Sequence, residues 1–88
     1  MVSQLRRASA SVPANIAQGF GRRTTRELLR YLQIAAGEME EVRYFLILSR
    51  DLGYITRPRF EEASALCDSV GQLINALGRS LKERVQAE

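Results

Sequence analysis

Two groups of side chains in this sequence have the type and spacing to do chemistry: paired carboxylates and a series of arginines. Glu38 and Glu41 stand three residues apart, and Glu61 and Glu62 are adjacent. A carboxylate pair works as general acid and base when a closed pocket raises one of the two pKa values. Helix-borne carboxylates also hold di-metal centres, but those require Glu-x-x-His pairs beside them. The chain has no histidine, which removes the commonest general base near neutral pH and the commonest metal ligand. The one cysteine, Cys67, excludes an internal disulfide and a Cys-rich zinc site. Its position suits a buried small hydrophobe, and a single free thiol fits a reducing compartment. Gly19-Phe20-Gly21-Arg22 resembles a fragment of a phosphate loop, but it follows a helical pattern and lacks the Lys-Ser/Thr ending. The expectation is a non-enzymatic protein with no cofactor and no metal. Glu41 is expected to be a structural ion-pair partner of Arg6 or Arg7.

The arginines are unevenly placed. Net charge is +3 over 88 residues, yet positions 1–36 carry six arginines against one acid, for +5. Positions 37–88 hold seven bases against nine acids, for −2. Twelve of the thirteen bases are arginine, a planar fork that suits bidentate phosphate or carboxylate contacts. Arg6, Arg7, Arg22, Arg23, Arg26 and Arg30 are therefore the candidate nucleic-acid-binding residues. Phe20 and Tyr31 are the only aromatics among them, so base stacking and sequence preference are expected to be weak.

Hydrophobic periodicity supplies the elements that position these groups. Leu5, Ala8, Val12 and Ile16 mark one face of a first helix from about Ser3 to Gln18. Pro13 predicts a kink or break in it, and Gly19 is the expected C-cap residue. Thr24 to Glu27 has capping-box spacing and opens a second helix that should run to Leu52, with Gly53 closing it. Its core stripe is Leu28, Leu32, Ala35, Met39, Val42 and Leu46. At Tyr44, Phe45, Leu46, Ile47 and Leu48 that helix is apolar all round, so Tyr44, Phe45, Ile47 and Leu48 are the candidate oligomer or partner interface. A third helix begins near Thr56, with Pro58 in its first turn. Phe60, Ala63, Cys67, Val70, Ile74, Leu77 and Leu81 alternate by three and four, a helix-packing seam. Gly71 and Gly78 beside it suggest close helix approach. Short connections make successive helices antiparallel. The fold class is all-α, an up-and-down bundle in a single domain over 1–88. No stretch is apolar enough for a membrane span or a signal peptide, and the expected location is cytoplasmic.

The run from Ser3-Gln4-Leu5-Arg6-Arg7-Ala8 through Ser11-Val12-Pro13-Ala14-Asn15-Ile16-Ala17-Gln18-Gly19-Phe20-Gly21-Arg22 resembles the four-helix-bundle proteins encoded in ribosomal-RNA intervening sequences. Tyr31-Leu32-Gln33-Ile34-Ala35, Gly37, Met39, Glu41 and Leu52-Gly53-Tyr54-Ile55 continue the likeness, which fades after about Phe60. The related accessory proteins of diversity-generating retroelements are basic homopentameric barrels that bind nucleic acid and a reverse transcriptase. The resemblance thus implies a four-helix-bundle fold, a homo-oligomer (a pentamer) and, as partners, RNA or DNA and a reverse transcriptase or other protein. Gln18 stands where the family usually has Glu, and Glu38 where it has a small residue, so one family ion pair is expected to be absent. The family also carries a helix before the segment matching Ser3-Gln4-Leu5. The chain should therefore present an apolar groove, whether it reflects a truncated gene product, a misplaced start or a three-helix form closed by self-association.

Two functions follow from these residues. One is a self-associating, nucleic-acid-binding bundle with an Arg-rich N-terminal face. The other is an interaction scaffold that docks a partner helix or enzyme on its apolar belt and groove, without nucleic acid.

Overall fold

The computed structural model describes residues 2–87. They form three helices in the order α1 (Val2–Phe20), α2 (Thr25–Asp51) and α3 (Arg57–Ala87), the all-α fold expected from the periodicity. The Thr24 hydroxyl caps α2 by accepting from the Glu27 N–H at 3.1 Å. Among the described residues the reciprocal bond of a capping box is not formed, so half of that motif operates. The end of α2 is a Schellman motif. Tyr54 N–H donates to Ser49 C=O at 2.8 Å, and Gly53 N–H to Arg50 C=O at 3.0 Å. Gly53 lies at φ 76°, the left-handed conformation that glycine adopts without a Cβ penalty. At the start of α3 the Thr56 carbonyl accepts from Phe60 N–H at 2.9 Å, and Pro58 occupies the first turn as expected.

Two expectations about α1 are corrected. Of the kink or break expected at Pro13, the break is absent: the helix is continuous through that position. Ser9, whose carbonyl loses its helical donor to Pro13, is exposed like Pro13 itself, so water can take the place of the missing N–H. Gly19 is not a left-handed cap. It is buried within the last turn of α1, and a Cβ there would stand 2.9 Å from Tyr31 Cβ and 3.0 Å from Leu28 Cδ1. Its missing side chain lets α1 and α2 approach closely. Gly78 and Gly71 do not serve close helix contact within the chain. A Cβ on Gly78 would meet nothing within 4 Å, and one on Gly71 only the tip of Arg43 at 3.4 Å.

The middle helix is the scaffold: α2 packs against α1 on one side and α3 on the other, while the α1 and α3 backbones nowhere come together. Leu32, Ala35, Met39, Val42 and Leu46 of α2 are buried, with Ala8 and Val12 from α1 and Cys67, Ile74 and Leu81 from α3. The result is a slab measuring 49 × 20 × 13 Å over its Cα atoms, with a radius of gyration of 14.7 Å. A compact chain of this length would have a radius near about 12 Å. The accessible surface is 6195 Å², against roughly 5200 Å² expected for a compact monomer of this mass. A groove lies between α1 and α3. It is a 340 Å³ hollow floored by Met39 and Val42 and walled by Val12, Ile16, Leu66 and Val70.

Candidate nucleic-acid interface

Antiparallel packing sorts the charges along the slab. The turn between α1 and α2 carries Arg22 and Arg23, and the first turns of α2 carry Arg26 and Arg30. The last third of α3 runs back beside this end, where Arg79 and Lys82 face Leu29 and Gln33 across a shared cleft. Arg84 lies in the last turn of α3. One pole therefore gathers Arg22, Arg23, Arg26, Arg30, Arg79, Lys82 and Arg84, with Glu27 and Glu83 as the described acids there. All seven cations are exposed.

Among the described residues, ion pairing lies in the rest of the slab. The four salt bridges join Arg43 to Glu40 and to Asp68, Arg50 to Asp51, and Arg57 to Glu61. Among the described residues, none of the seven polar-end cations forms one. A charge already satisfied by a carboxylate has little left for a phosphate, so the pole cations are available to one; Arg6, Arg7 and Arg59 are also exposed and outside these bridges, but they stand apart from the cluster. The N-terminus of α2 adds its partial positive charge to the same pole.

Tyr31 organises part of this end. The Arg22 guanidinium donates to the Tyr31 hydroxyl at 2.6 Å. The Arg22 and Arg30 guanidinium carbons lie 4.8 and 5.9 Å from the Tyr31 ring centroid, within cation–π reach. The ring is occupied by the two arginines rather than offered to a base. Gly19 packs on the same residue, so the close approach of α1 fixes the position of Tyr31 and hence of Arg22. Phe20 at the end of α1 remains 62% exposed.

The sequence-based set divides on inspection. Arg22, Arg23, Arg26 and Arg30 are brought together. Arg6 and Arg7 are not: thirteen residues of helix, about 20 Å, separate Arg7 from the end of α1. Arg7 lines a different cleft with Gln4, Glu38, Glu41 and Phe45. Arg79, Lys82 and Arg84 were missed because residues 37–88 sum to a negative charge. The antiparallel order of the helices was the signal that could have placed them, since it returns the end of α3 to the start of α2.

The expected pairing of Arg6 or Arg7 with Glu41 is not formed. Glu41 is exposed, and no salt bridge among the described residues includes it. The interhelical polar contact at this level belongs to Glu38, which accepts from the Asn15 side-chain amide at 2.6 Å. The amide also donates to the Ser11 carbonyl at 3.1 Å. Glu38 and Glu41 line the same cleft beside α1, but Glu38 is half-buried and engaged by Asn15 while Glu41 is exposed. The apolar belt divides similarly. Phe45 packs on the core and Leu48 is half-buried, while Tyr44 and Ile47 remain 61% and 44% exposed. Tyr44 meets Phe45 edge-on, with ring centroids 5.5 Å apart.

Cys67 is buried as expected, and burial pushes its thiol pKa up, with Arg43 opposing and Asp68 adding to the rise. Among the described residues no three His, Cys, Asp or Glu side chains gather as a metal site, and no helix is long and apolar enough to cross a membrane.

Comparison with known proteins places this architecture. A crystal structure of a protein of unknown function from the S23 ribosomal protein family of Bacteroides thetaiotaomicron VPI-5482 superposes with a TM-score of 0.85 at 26% identity. The match covers 88% of this chain and 69% of that one. No curated protein matches the chain. The model of the 23S rRNA-intervening sequence protein family matches residues 1–76, which takes in α1, α2 and most of α3. With the helical fold and the matched sequence in agreement, the chain belongs to the 23S rRNA-intervening sequence protein family.

Proposed function

We propose that this chain is a non-enzymatic, self-associating helical protein that binds nucleic acid by its phosphates at the cationic pole. One observation carries the reading: seven exposed cations at one end are without ion pairs among the described residues, while all four salt bridges lie elsewhere. Arg22, Arg23, Arg26 and Arg30 supply one side of the pole, and Arg79, Lys82 and Arg84 the other. The family's description refers to an intervening sequence of 23S rRNA, which makes structured RNA the first probe.

Self-association is supported by shape. The accessible surface exceeds that of a compact monomer by roughly 1000 Å², comparable to the roughly 800 Å² that each partner contributes to an ordinary stable interface. Leu66, on the wall of the α1–α3 groove, and Leu73, two turns further along α3, stand 67% and 71% exposed. Closing copies of the chain on one another would repeat the pole and strengthen its field. The same apolar groove favours the scaffold as a second reading, in which a partner helix fills it.

The test is fluorescence anisotropy with a labelled structured RNA and a matched DNA duplex at about 50 and 200 mM salt. Light scattering on the same sample gives the mass. Seven phosphate contacts on duplex predict a slope of about −6 in log K against log salt, a loss of three to four orders of magnitude over that range. The Arg22→Ala/Arg23→Ala double variant should flatten the slope by about 2. A well-folded oligomer that binds neither probe at low salt would overturn the nucleic-acid reading and leave the scaffold.

A further inference from the structure

Beside the cationic pole, α2 and α3 diverge enough to leave a cleft of about 200 Å³. Leu29, Leu32 and Ile74 form its apolar floor. Gln33 and Asn75 stand on opposite rims, and neither side-chain amide has a hydrogen-bond partner among the described residues. Each offers both a donor and an acceptor. Arg79 and Lys82, one and two turns beyond Asn75 on the same face of α3, form a cationic lip. Gly78 keeps the α3 wall free of side chain. Arg26 lies two turns before Gln33 on the same face of α2, so cations stand on both sides of the opening.

An apolar floor, unengaged amides at the rim and cations at the lip fit one chemistry: a flat, apolar-faced ring with hydrogen-bonding edges, joined to phosphates. That is a nucleotide whose base is free. Bases extruded from a strand are held in this way, between apolar side chains with polar groups at the edge. A paired, stacked duplex cannot offer its bases to such a cleft, whereas loops, bulges and single strands can.

We infer that this cleft receives one unpaired nucleobase, so that the pole selects strands with unpaired nucleotides over fully paired duplex. The inference rests on phosphate binding at the pole and adds the ligand subclass. It also runs against what charge alone would do. Phosphate neutralisation is weaker on single strands, with a slope of about −0.7 per contact against about −0.9 on duplex. A preference for unpaired strands therefore cannot come from phosphate neutralisation by itself.

The experiment compares binding of the full chain to a hairpin with an unpaired loop and to a fully paired duplex of equal phosphate count, each as RNA and as DNA. The loop-containing probe should bind about tenfold more tightly, the gain of a few net hydrogen bonds and a buried ring. Gly78→Leu fills the cleft from a wall where a Cβ meets nothing within 4 Å. It should abolish the preference while leaving duplex affinity within about twofold, since the cations are untouched. Asn75→Leu removes one rim amide while keeping the branched shape of the side chain and should give the same loss. Helix content by circular dichroism controls for folding. Equal wild-type affinity for looped and paired probes, with salt dependence intact, overturns the cleft and spares the phosphate reading. Equal weakening of both probes by Gly78→Leu also overturns the cleft. Failure to bind any probe overturns the phosphate reading beneath it. A loop preference shown by RNA alone, or by both, supports the cleft and assigns the strand it takes.

Discussion

Replacing Gly19 by alanine tests how the pole is built. The added Cβ would stand 2.9 Å from Tyr31 Cβ, about half an ångström short of the 3.4 Å at which ordinary contact begins. Leu28 Cδ1, at 3.0 Å, is the tip of a flexible side chain and can rotate away. Tyr31 Cβ cannot, because it is attached directly to the α2 backbone, so the two helices must part. Overpacking of this kind costs about 1–3 kcal/mol. Alanine returns at most about 1 kcal/mol of helix propensity, and less in a terminal turn. The net expectation is a loss of about 1–2 kcal/mol, or roughly 5–15 °C in Tm for a domain of this size. Gly78→Ala is the matched control. It makes the same change in a helix interior where nothing lies within 4 Å, and it should stabilise by about 0.5–1 kcal/mol. Urea denaturation of both variants at one fixed protein concentration reads the comparison, since association makes stability concentration-dependent. If Gly19→Ala is as stabilising as Gly78→Ala, the close approach of α1 to Tyr31 is refuted, and with it the account of what fixes Arg22.

The remaining predictions concern charge. Removing Arg79, Lys82 and Arg84 together should flatten the salt slope on duplex by about 3, whereas Arg6→Ala/Arg7→Ala, on the far part of α1, should leave it within about 0.5, both read by anisotropy titrations. Glu41→Ala should change stability by less than about 0.5 kcal/mol in chemical denaturation, because the side chain is exposed and unpaired. Glu38→Ala should cost about 1 kcal/mol by losing the Asn15 hydrogen bond, and equal denaturation curves for the two variants would contradict that distinction. Cys67 gives a pH dependence. Its thiol pKa is raised by burial in the folded state, so the native chain holds the proton more tightly than the unfolded one. Its contribution is fully present below the unfolded thiol value of about 8.5 and is lost as pH rises through the folded value. Urea midpoints of the wild type should therefore fall above about pH 8.5 by more than those of Cys67→Ala.

Where the sequence was legible, the controlling interactions are short in range. The cap at Thr24, the left-handed Gly53 and Pro58 in the first turn of α3 each depend on neighbours within a few residues, and each stands where spacing put it. The three helices follow from a 3.6-residue period along the chain, and the stripe marked from Leu28 to Leu46 is buried from Leu32 onward, with Leu28 half-buried. Pro13 and Gly19 are instructive exceptions. Local rules assigned a kink or break and a cap. Exposure at Ser9 makes the proline tolerable, and contact with Tyr31 gives the glycine a packing role instead.

The candidate site was half legible for a related reason. Arg22, Arg23, Arg26 and Arg30 are neighbours along the chain, so their clustering is visible in one dimension. Arg79, Lys82 and Arg84 join them only because α3 runs antiparallel to α2 and returns to its start, some fifty residues later in sequence. Summing charge over residues 37–88 averaged that local excess away. Arg6 and Arg7 share the basic segment but are carried off by the rise of α1, and Glu41 shares a cleft with Arg7 without pairing to it. The sequence alone determined the three helices, both ends of α2, the start of α3, the antiparallel order and the scarcity of catalytic side chains. Only the tertiary structure decided which charges meet, which are already paired, and which apolar residues are left without a neighbour, because those depend on packing between segments far apart in the chain.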